Sequence, residues 1–434
     1  MFRLALPVVI AEMGWMTMGM VDTLMVGRIS PEAIGAVGLG SSIFMGVCIF
    51  AMGLLLGLDP VVAQAFGARR IDECHRWLIA GVWLATLVGL PVVGGVYLIG
   101  ALLPYLGLPP GVLVLAQPYL AIVGWSLPPL LFYVAFRRYL QAMNIAGAII
   151  YTLVAANLVN AFANWILIFG KFGAPALGVR GAAFATLASR IVMALALLAV
   201  ILRRERHTIP RLGDTPMSLD VGRVRRLIAL GLPAGGQMLL EVGVFAAATA
   251  LAGRVSSTAL AAHQIAINMA ALTFMIPFGL ASAAAVRVGQ ALGRRDPHAA
   301  MAAGWTAIAL GVSFMGTAAA VFLVFPAPLI RAFTDDPDVL AIGVRLLFVA
   351  AFFQLFDGLQ GVTTGALRGL SDTRTAMLWN LAGHWLVGLP LGYLLCFHWG
   401  RGVVGLWWGL SAGLVICGVS LILVWWRKGI RLAL

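Results

Sequence analysis

The chain has 434 residues, of which 62% are hydrophobic and only 10% charged. A soluble protein of this size needs far more charge to cover its surface, so a water-soluble globular domain is excluded. The formal net charge of +13 is no nucleic-acid signal either, because most basic residues sit at the ends of apolar runs, where they anchor and orient a chain against a membrane.

Apolar runs of about twenty residues, the length a bilayer-crossing helix needs, recur along the chain. They lie near 4–27, 32–58, 74–100, 112–136, 147–170 and 180–202, then near 227–252, 257–286, 299–326, 339–365, 375–398 and 402–426. The pattern predicts an all-α membrane protein with twelve transmembrane helices. The first run carries Glu12 and Asp22, is too long for a signal-peptide core and lacks a small-residue cleavage site, so it reads as a retained span. One polar connection of any length, 203–226, divides the chain into an N-terminal lobe (1–202), an inter-lobe linker and a C-terminal lobe (227–434). With an even number of spans the termini share a side. The termini and the loops on that side hold 21 basic residues against seven on the other, which predicts cytoplasmic termini. Cys48, Cys74, Cys396 and Cys417 show no metal or disulfide spacing and read as small hydrophobes.

The two halves repeat. A gapless shift of 226 residues lays Pro7 on Pro233, Thr23 on Thr249, Gly27-Arg28 on Gly253-Arg254, Ser30 on Ser256, Gln64 on Gln290 and Arg69 on Arg295. Chance matches of Ala and Leu mean little in this composition, whereas Pro, Gln, Arg and Thr at one fixed offset mean more. Each half has six spans, so both enter the membrane from the same side. They are parallel repeats related by an axis along the membrane normal, an arrangement that alternating access exploits.

Five carboxylates lie inside apolar segments: Glu12, Asp22, Asp59, Glu241 and Asp357. Each costs about 2.5–3.5 kcal/mol at a bilayer centre on insertion scales, so a chain that keeps them has a use for the charge. Glu12 is mid-span and either faces a cleft or lies protonated between helices. Asp22 is a cation-binding or protonatable group or, alternatively, an interfacial cap. Asp59, before Pro60, reads as interfacial. Asn160 and Asn164 are four apart and share a helix face; they are either hydrogen-bonding glue between helices or oxygens completing a site around Asp22. Arg190, inside a span, either snorkels or pairs with an acid. Glu241 and Asp357 are near mid-membrane with no basic neighbour on their own helices, and could hold Na⁺ or protons between them. Asp22 falls opposite Ala248 under the 226 shift, and Glu241 opposite Trp15. The acids are therefore not copies of one another.

The segments VDTLMVG (21–27), VAQAFGA (62–68), LAAHQIAIN (260–268) and ALRGLSDTR (366–374) resemble those of the multidrug and toxin extrusion (MATE) transporters, in particular their NorM-like branch. The resemblance covers nearly the whole chain. It implies a MATE-type fold of two six-helix lobes and export of cationic, amphipathic drugs against entry of Na⁺ or H⁺. It also implies a coupling-ion role for Asp22 with Asn160, Asn164 and Thr186, and a second such site at Glu241 and Asp357, within LLEVGVFA (239–246) and QLFDGLQ (354–360). Where some relatives carry Asp, Asn164 stands here. Phe274, His263 and Glu12 are candidates for the substrate cleft, with packing an equal or better account of the first two.

No Walker-type loop, metal-ligand spacing or Ser/His pairing points to catalysis. The expected function is a secondary antiporter, not an enzyme, that needs no cofactor beyond its coupling ion. Its expected partners are cationic drugs and membrane lipids, not nucleic acid. It is expected to work as a monomer in a bacterial inner membrane. The alternative is a lipid-linked saccharide flippase of the same superfamily, against which the acidic character of the buried charges argues.

Overall fold

In the computed structural model, residues 2–206 and 211–433 are described. The side chains of 2–5, 12–13, 15–16, 106 and 432–433 lie outside the described part, Glu12 among them. Every element among the described residues is helical. The first half holds α1 (Phe2–Val26), α2 (Pro31–Leu55), α3 (Leu58–Gly67), α4 (Ile71–Leu102), α5 (Pro110–Gly124), α6 (Leu127–Ala142), α7 (Gly147–Phe169) and α8 (Val179–Glu205). The second half holds α9 (Val221–Val255), α10 (Ser257–Gly293), α11 (Pro297–Val324), the short α12 (Pro326–Arg331), α13 (Pro337–Gly369) and α14 (Arg374–Asn380). From α14 the chain continues through π-helical turns at Leu381–Gly388, α15 (Leu389–Tyr393) and further π-helical turns at Leu394–His398, and α16 (Gly402–Ala433) ends it.

Among the described residues, ten helices are long and apolar enough to cross a membrane, and eleven if the pair α5–α6, bent by 44°, is one span. With α1, whose 25 residues reach about 37 Å at 1.5 Å per residue, twelve helical segments fall where twelve spans are expected. Two breaks are new. The second span is interrupted at Leu56–Gly57 and continues as α3, and the fourth is broken at Trp125–Ser126, just before Pro128 and Pro129. Both polar ends of the 203–226 segment are helical, since α8 runs to Glu205 and α9 begins at Val221.

Helix starts follow from local chemistry. Ser30 and Ser256 cap α2 and α10, each side chain accepting the backbone N–H three residues on (Ala33 and Ala259). Asp296 and Asp336 cap α11 and α13 in the same way, each followed by Pro at the first helical position. Such caps satisfy N–H groups that no carbonyl within the helix can reach, and proline there loses nothing. Ser30 and Ser256 are 226 apart, as are Arg69 (φ 60°) and Arg295 (φ 59°), which close α3 and α10 in the left-handed region. The internal repeat thus extends to backbone conformations that non-glycine residues seldom adopt.

The chain divides into two compact units, Ile10–Gly235, and Met1–Val9 together with Gly236–Leu434. The boundaries fall inside α1 and α9, shortly after Pro7 and Pro233. Within the first unit the opening turns of α9 press against α2. A Cβ on Gly53 would meet the backbone N of Gly235 at 2.9 Å, and one on Gly231 would meet the Cα of Leu54 at 2.7 Å. Only glycine permits two helix backbones to come this close. In the second unit Val9 of α1 presses on Gly279 of α10, and these two positions are the 226-residue counterparts of Gly235 and Gly53.

One end of the first unit is knitted by charge. Arg223 at the start of α9 donates to both carboxylate oxygens of Glu73 on α4 (2.6 and 3.2 Å) and lies 5.0 Å from the Trp77 ring centroid. Trp83 Nε1 donates to the carbonyl of Met217 (2.9 Å), fastening the inter-repeat segment to α4. Fully buried below, Glu205 joins His75 Nε2 (2.9 Å) and accepts from Tyr139 Oη (3.2 Å). Asp59, read from its place before Pro60 as interfacial, is buried within the unit and paired with Arg138 at 3.5 Å.

In the α13–α14 turn, burial works to raise the Asp372 carboxyl, but Lys428 (2.7 Å) and the hydroxyl and N–H of Thr375 outweigh it and hold the group below its ordinary range. A carboxylate lowered in this way adds stability above its unfolded value that is lost as pH falls through the folded one. Asp372→Asn is therefore expected to be less stable than wild type at pH 7, with the difference vanishing in strong acid, as read by thermal unfolding in detergent across pH. A second expectation concerns α2. Gly53→Ala should cost about 1–3 kcal/mol through overpacking. Gly46→Ala, whose new Cβ would meet nothing within 4 Å, should gain about 0.5–1 kcal/mol from helix propensity. Paired thermal melts would check both.

Candidate functional site

Helices α1, α7 and α8 bring four sequence-predicted residues of the first unit to one point. Asn164 Nδ2 donates to Asp22 Oδ1 (2.6 Å) and to Asn160 Oδ1 (3.2 Å), and Thr186 Oγ1 donates to Asp22 Oδ2 (2.9 Å). All four side chains are buried. The spacing explains the convergence, since Asn160 and Asn164 sit one turn apart on α7 on the face that meets Asp22 of α1. Asp22 is thus no exposed interfacial cap, and each of its oxygens accepts a neutral donor. Asn164 Oδ1 has no hydrogen-bond partner, so an acceptor lies close to the carboxylate.

Arg190, one turn beyond Thr186 on α8, is buried rather than snorkelling. Its guanidinium donates to Ser126 Oγ, at the break between α5 and α6, and stands 4.4 Å from the Phe44 ring centroid. It is within electrostatic reach of Asp22, yet the two form no ion pair within salt-bridge distance among the described residues. Nearby, Tyr119 and Ser41 share a 3.0 Å hydrogen bond.

In the second unit Glu241 (α9) and Asp357 (α13) lie within electrostatic reach of one another. The Gln237 amide, one turn before Glu241, lies near its carboxyl. Neither acid has a basic ion-pair partner among the described residues. Phe274 touches α13 at Gly361, one turn past Asp357, since a Cβ there would lie 2.9 Å from the ring. Thr273 donates to Gln354 Oε1 (2.6 Å), on the turn before Asp357. Phe274 thus packs on α13 one turn from Asp357.

His263 does not join the pair. It is fully buried; Trp407 Nε1 donates to its Nδ1 (3.0 Å), and its Nε2 lies 3.0 Å from Thr249 Oγ1. An indole N–H can only donate, so Nδ1 is an acceptor and the proton is on Nε2. Thr249 Oγ1, which receives it, donates in turn to the carbonyl of Phe245 (2.9 Å). Every polar atom in this chain is used, and a second proton on His263 would break the contact with Trp407. Trp407→Phe, which leaves Nδ1 buried and unpaired, is expected to cost about 1–3 kcal/mol. Chemical denaturation would check it.

Sequence reasoning passed over His384, Gln360 and Asn380, all buried at 0–1% exposure in the second unit. His384 Nε2 lies 3.4 Å from Gln360 Oε1. The available signal was three hydrogen-bonding side chains inside apolar runs that no charge advertises.

Among the described residues no group of three or more His, Cys, Asp or Glu could hold a metal ion. A monovalent cation needs fewer acidic ligands, so this does not bear on Glu241 and Asp357.

Comparison with known proteins gives one family. The MatE family model matches twice, over residues 7–166 and 233–394, two copies that begin 226 residues apart. A protein of Mesorhizobium japonicum named "Probable multidrug resistance protein NorM" is 37% identical over 432 residues, covering 98% of this chain and 92% of its own. A crystal structure of a MATE protein in its straight conformation superposes with a TM-score of 0.89 at 20% identity, covering 99% of this chain and 96% of that one. A MOP superfamily transporter of Pyrococcus furiosus, described as having a binding pocket of reversed polarity, superposes with a TM-score of 0.87 at 20% identity over 100% of this chain and 96% of its own. The two family matches and the full-length identity leave one conclusion: the chain is a multi-pass membrane protein that belongs to the MatE family.

Proposed function

We propose that this protein is a secondary multidrug efflux antiporter that exports cationic, amphipathic drugs in exchange for Na⁺ or H⁺ by alternating access. The observation that carries this reading is the pair Glu241 and Asp357, two carboxylates at mid-helix with no basic partner among the described residues. Two such groups side by side repel, and a cation or a proton between them removes the repulsion. Relatives named as multidrug resistance proteins, including the one from Mesorhizobium japonicum, support the choice of cargo. Asp22 with Asn160, Asn164 and Thr186 forms a second ionisable site, and Phe274 lines the acidic pair as a face for cationic ligands. We assign His263 to packing, because its hydrogen bonds leave nothing to exchange.

The antiport requires only that ion and drug stabilise different conformations. A membrane potential contributes about 2.3 kcal/mol per charge per 100 mV, so one entering cation supports roughly 50-fold accumulation from that potential alone, at 1.4 kcal/mol per tenfold. A cationic drug leaving one for one would cancel that contribution and leave the ion gradient as the drive. The protein would act as a monomer in a bacterial inner membrane with both termini in the cytoplasm. A flippase for pyrophosphate-linked saccharides would need basic groups where this chain places Glu241 and Asp357.

The test is efflux of an ethidium-type cation from vesicles under an imposed Na⁺ or pH gradient, with wild type, Asp22→Asn, Glu241→Gln and Asp357→Asn. At least two of the three substitutions are expected to abolish gradient-driven export. Uphill transport at the wild-type rate by all three would reject these sites.

A further inference from the structure

In the second unit a group of neutral polar side chains is buried beside the acidic pair with several of its atoms unpaired. His384 Nδ1, Gln360 Nε2 and both amide atoms of Asn380 have no hydrogen-bond partner, although all three residues are at most 1% exposed. Unpaired polar atoms are costly in any protein interior and more so in one surrounded by lipid.

These residues have a defined place. His384 lies on the π-helical turns Leu381–Gly388, and Asn380 is the last residue before them. Such widened turns are rare and occur frequently at functional sites. The next residue, Trp385, donates its Nε1–H to the carbonyl of Leu240 (2.9 Å), and its ring packs on Gly243. The His384 ring centroid is 6.2 Å from that of Phe245. His384 therefore sits against the stretch of α9 that carries Glu241. On its other side it meets Gln360, three residues past Asp357 on α13. The imidazole and the amide thus span from one acid's turn to the other's. Asn380, one turn before His384, extends the polar line toward the α13–α14 turn.

The unpaired atoms include both donors and acceptors. The Gln360 amide and Asn380 Nδ2 can only donate, whereas Asn380 Oδ1 accepts; His384 Nδ1 accepts when Nε2–H is directed at Gln360 Oε1. A bare cation would use only the acceptors, whereas water uses both and needs two to four such partners. We propose that Asn380, His384 and Gln360 hold a file of internal water molecules that forms the passage by which the coupling cation reaches or leaves Glu241 and Asp357. The role as a cation passage rests on the antiport reading above, but the water file itself does not.

Two measurements test it. Asn380→Leu keeps the branched heavy-atom skeleton and removes two unpaired polar atoms. It is expected to melt at the wild-type temperature or higher, while gradient-driven export falls at least tenfold. Wild-type export by a variant of equal or greater stability would overturn the passage. The second measurement needs no transport. Radiolytic hydroxyl radicals form at bound water, so wild-type protein in detergent should be labelled at His384 and not at His263, which is equally buried but fully hydrogen-bonded. Protection of both would overturn the water file, whether or not Asn380→Leu folds. Wild-type protein that exports nothing under either gradient, yet labels at His384, would count against the antiport reading and against the cation's use of the passage, and would leave the water in place.

Discussion

A carboxylate set inside an apolar helix must be given hydrogen-bond donors, a fixed cation or a mobile one, and the two units meet this requirement differently. In the first, Asp22 receives a donor at each oxygen, from Asn164 and Thr186, with Arg190 in electrostatic reach. In the second, Glu241 and Asp357 lie within electrostatic reach of one another, with the Gln237 amide near the former. A site already provided with neutral donors and a nearby guanidinium has less need of an incoming charge than a pair of acids without a basic partner. This asymmetry is why the proposed exchange centres on the second unit.

The scaffold is otherwise a duplication. The family model matches twice with starts 226 residues apart, and the same offset relates the serine caps, the left-handed arginines and the close contacts at Gly53 and Gly279. These are positions where backbone geometry admits few residue types, so a repeated backbone keeps them alike. Side chains that only face the interior are less constrained, and there the halves have diverged. Asp22 corresponds to Ala248, and the His75–Glu205 pair to Met301 and Arg431.

Buried charge also has structural uses here. His75, Glu205 and Tyr139 join α4, α8 and α6, and Asp59 with Arg138 joins α3 to α6. Removing one partner of such a pair leaves the other buried and unpaired, at about 3–5 kcal/mol. They therefore pin helix ends, whereas Glu241 and Asp357 at mid-helix have no basic partner among the described residues.

The twelve spans, the duplication and the candidate acids were legible in the sequence. Apolar length, proline and serine punctuation and the cost of a charge in lipid act locally, and they leave their mark on consecutive residues. The sharing of Asp22 by Asn164 and Thr186 could be expected from helix spacing together with resemblance. The pairing of Asp59 with Arg138, the bond from Trp407 that fixes the His263 tautomer, and the meeting of His384 with Gln360 could not. Each depends on which helix lies against which, and on π-helical turns that shift side-chain direction without altering composition. Sequence determined where charge and helix would be; only the packing of distant helices decided which polar atoms found partners and which were left without one.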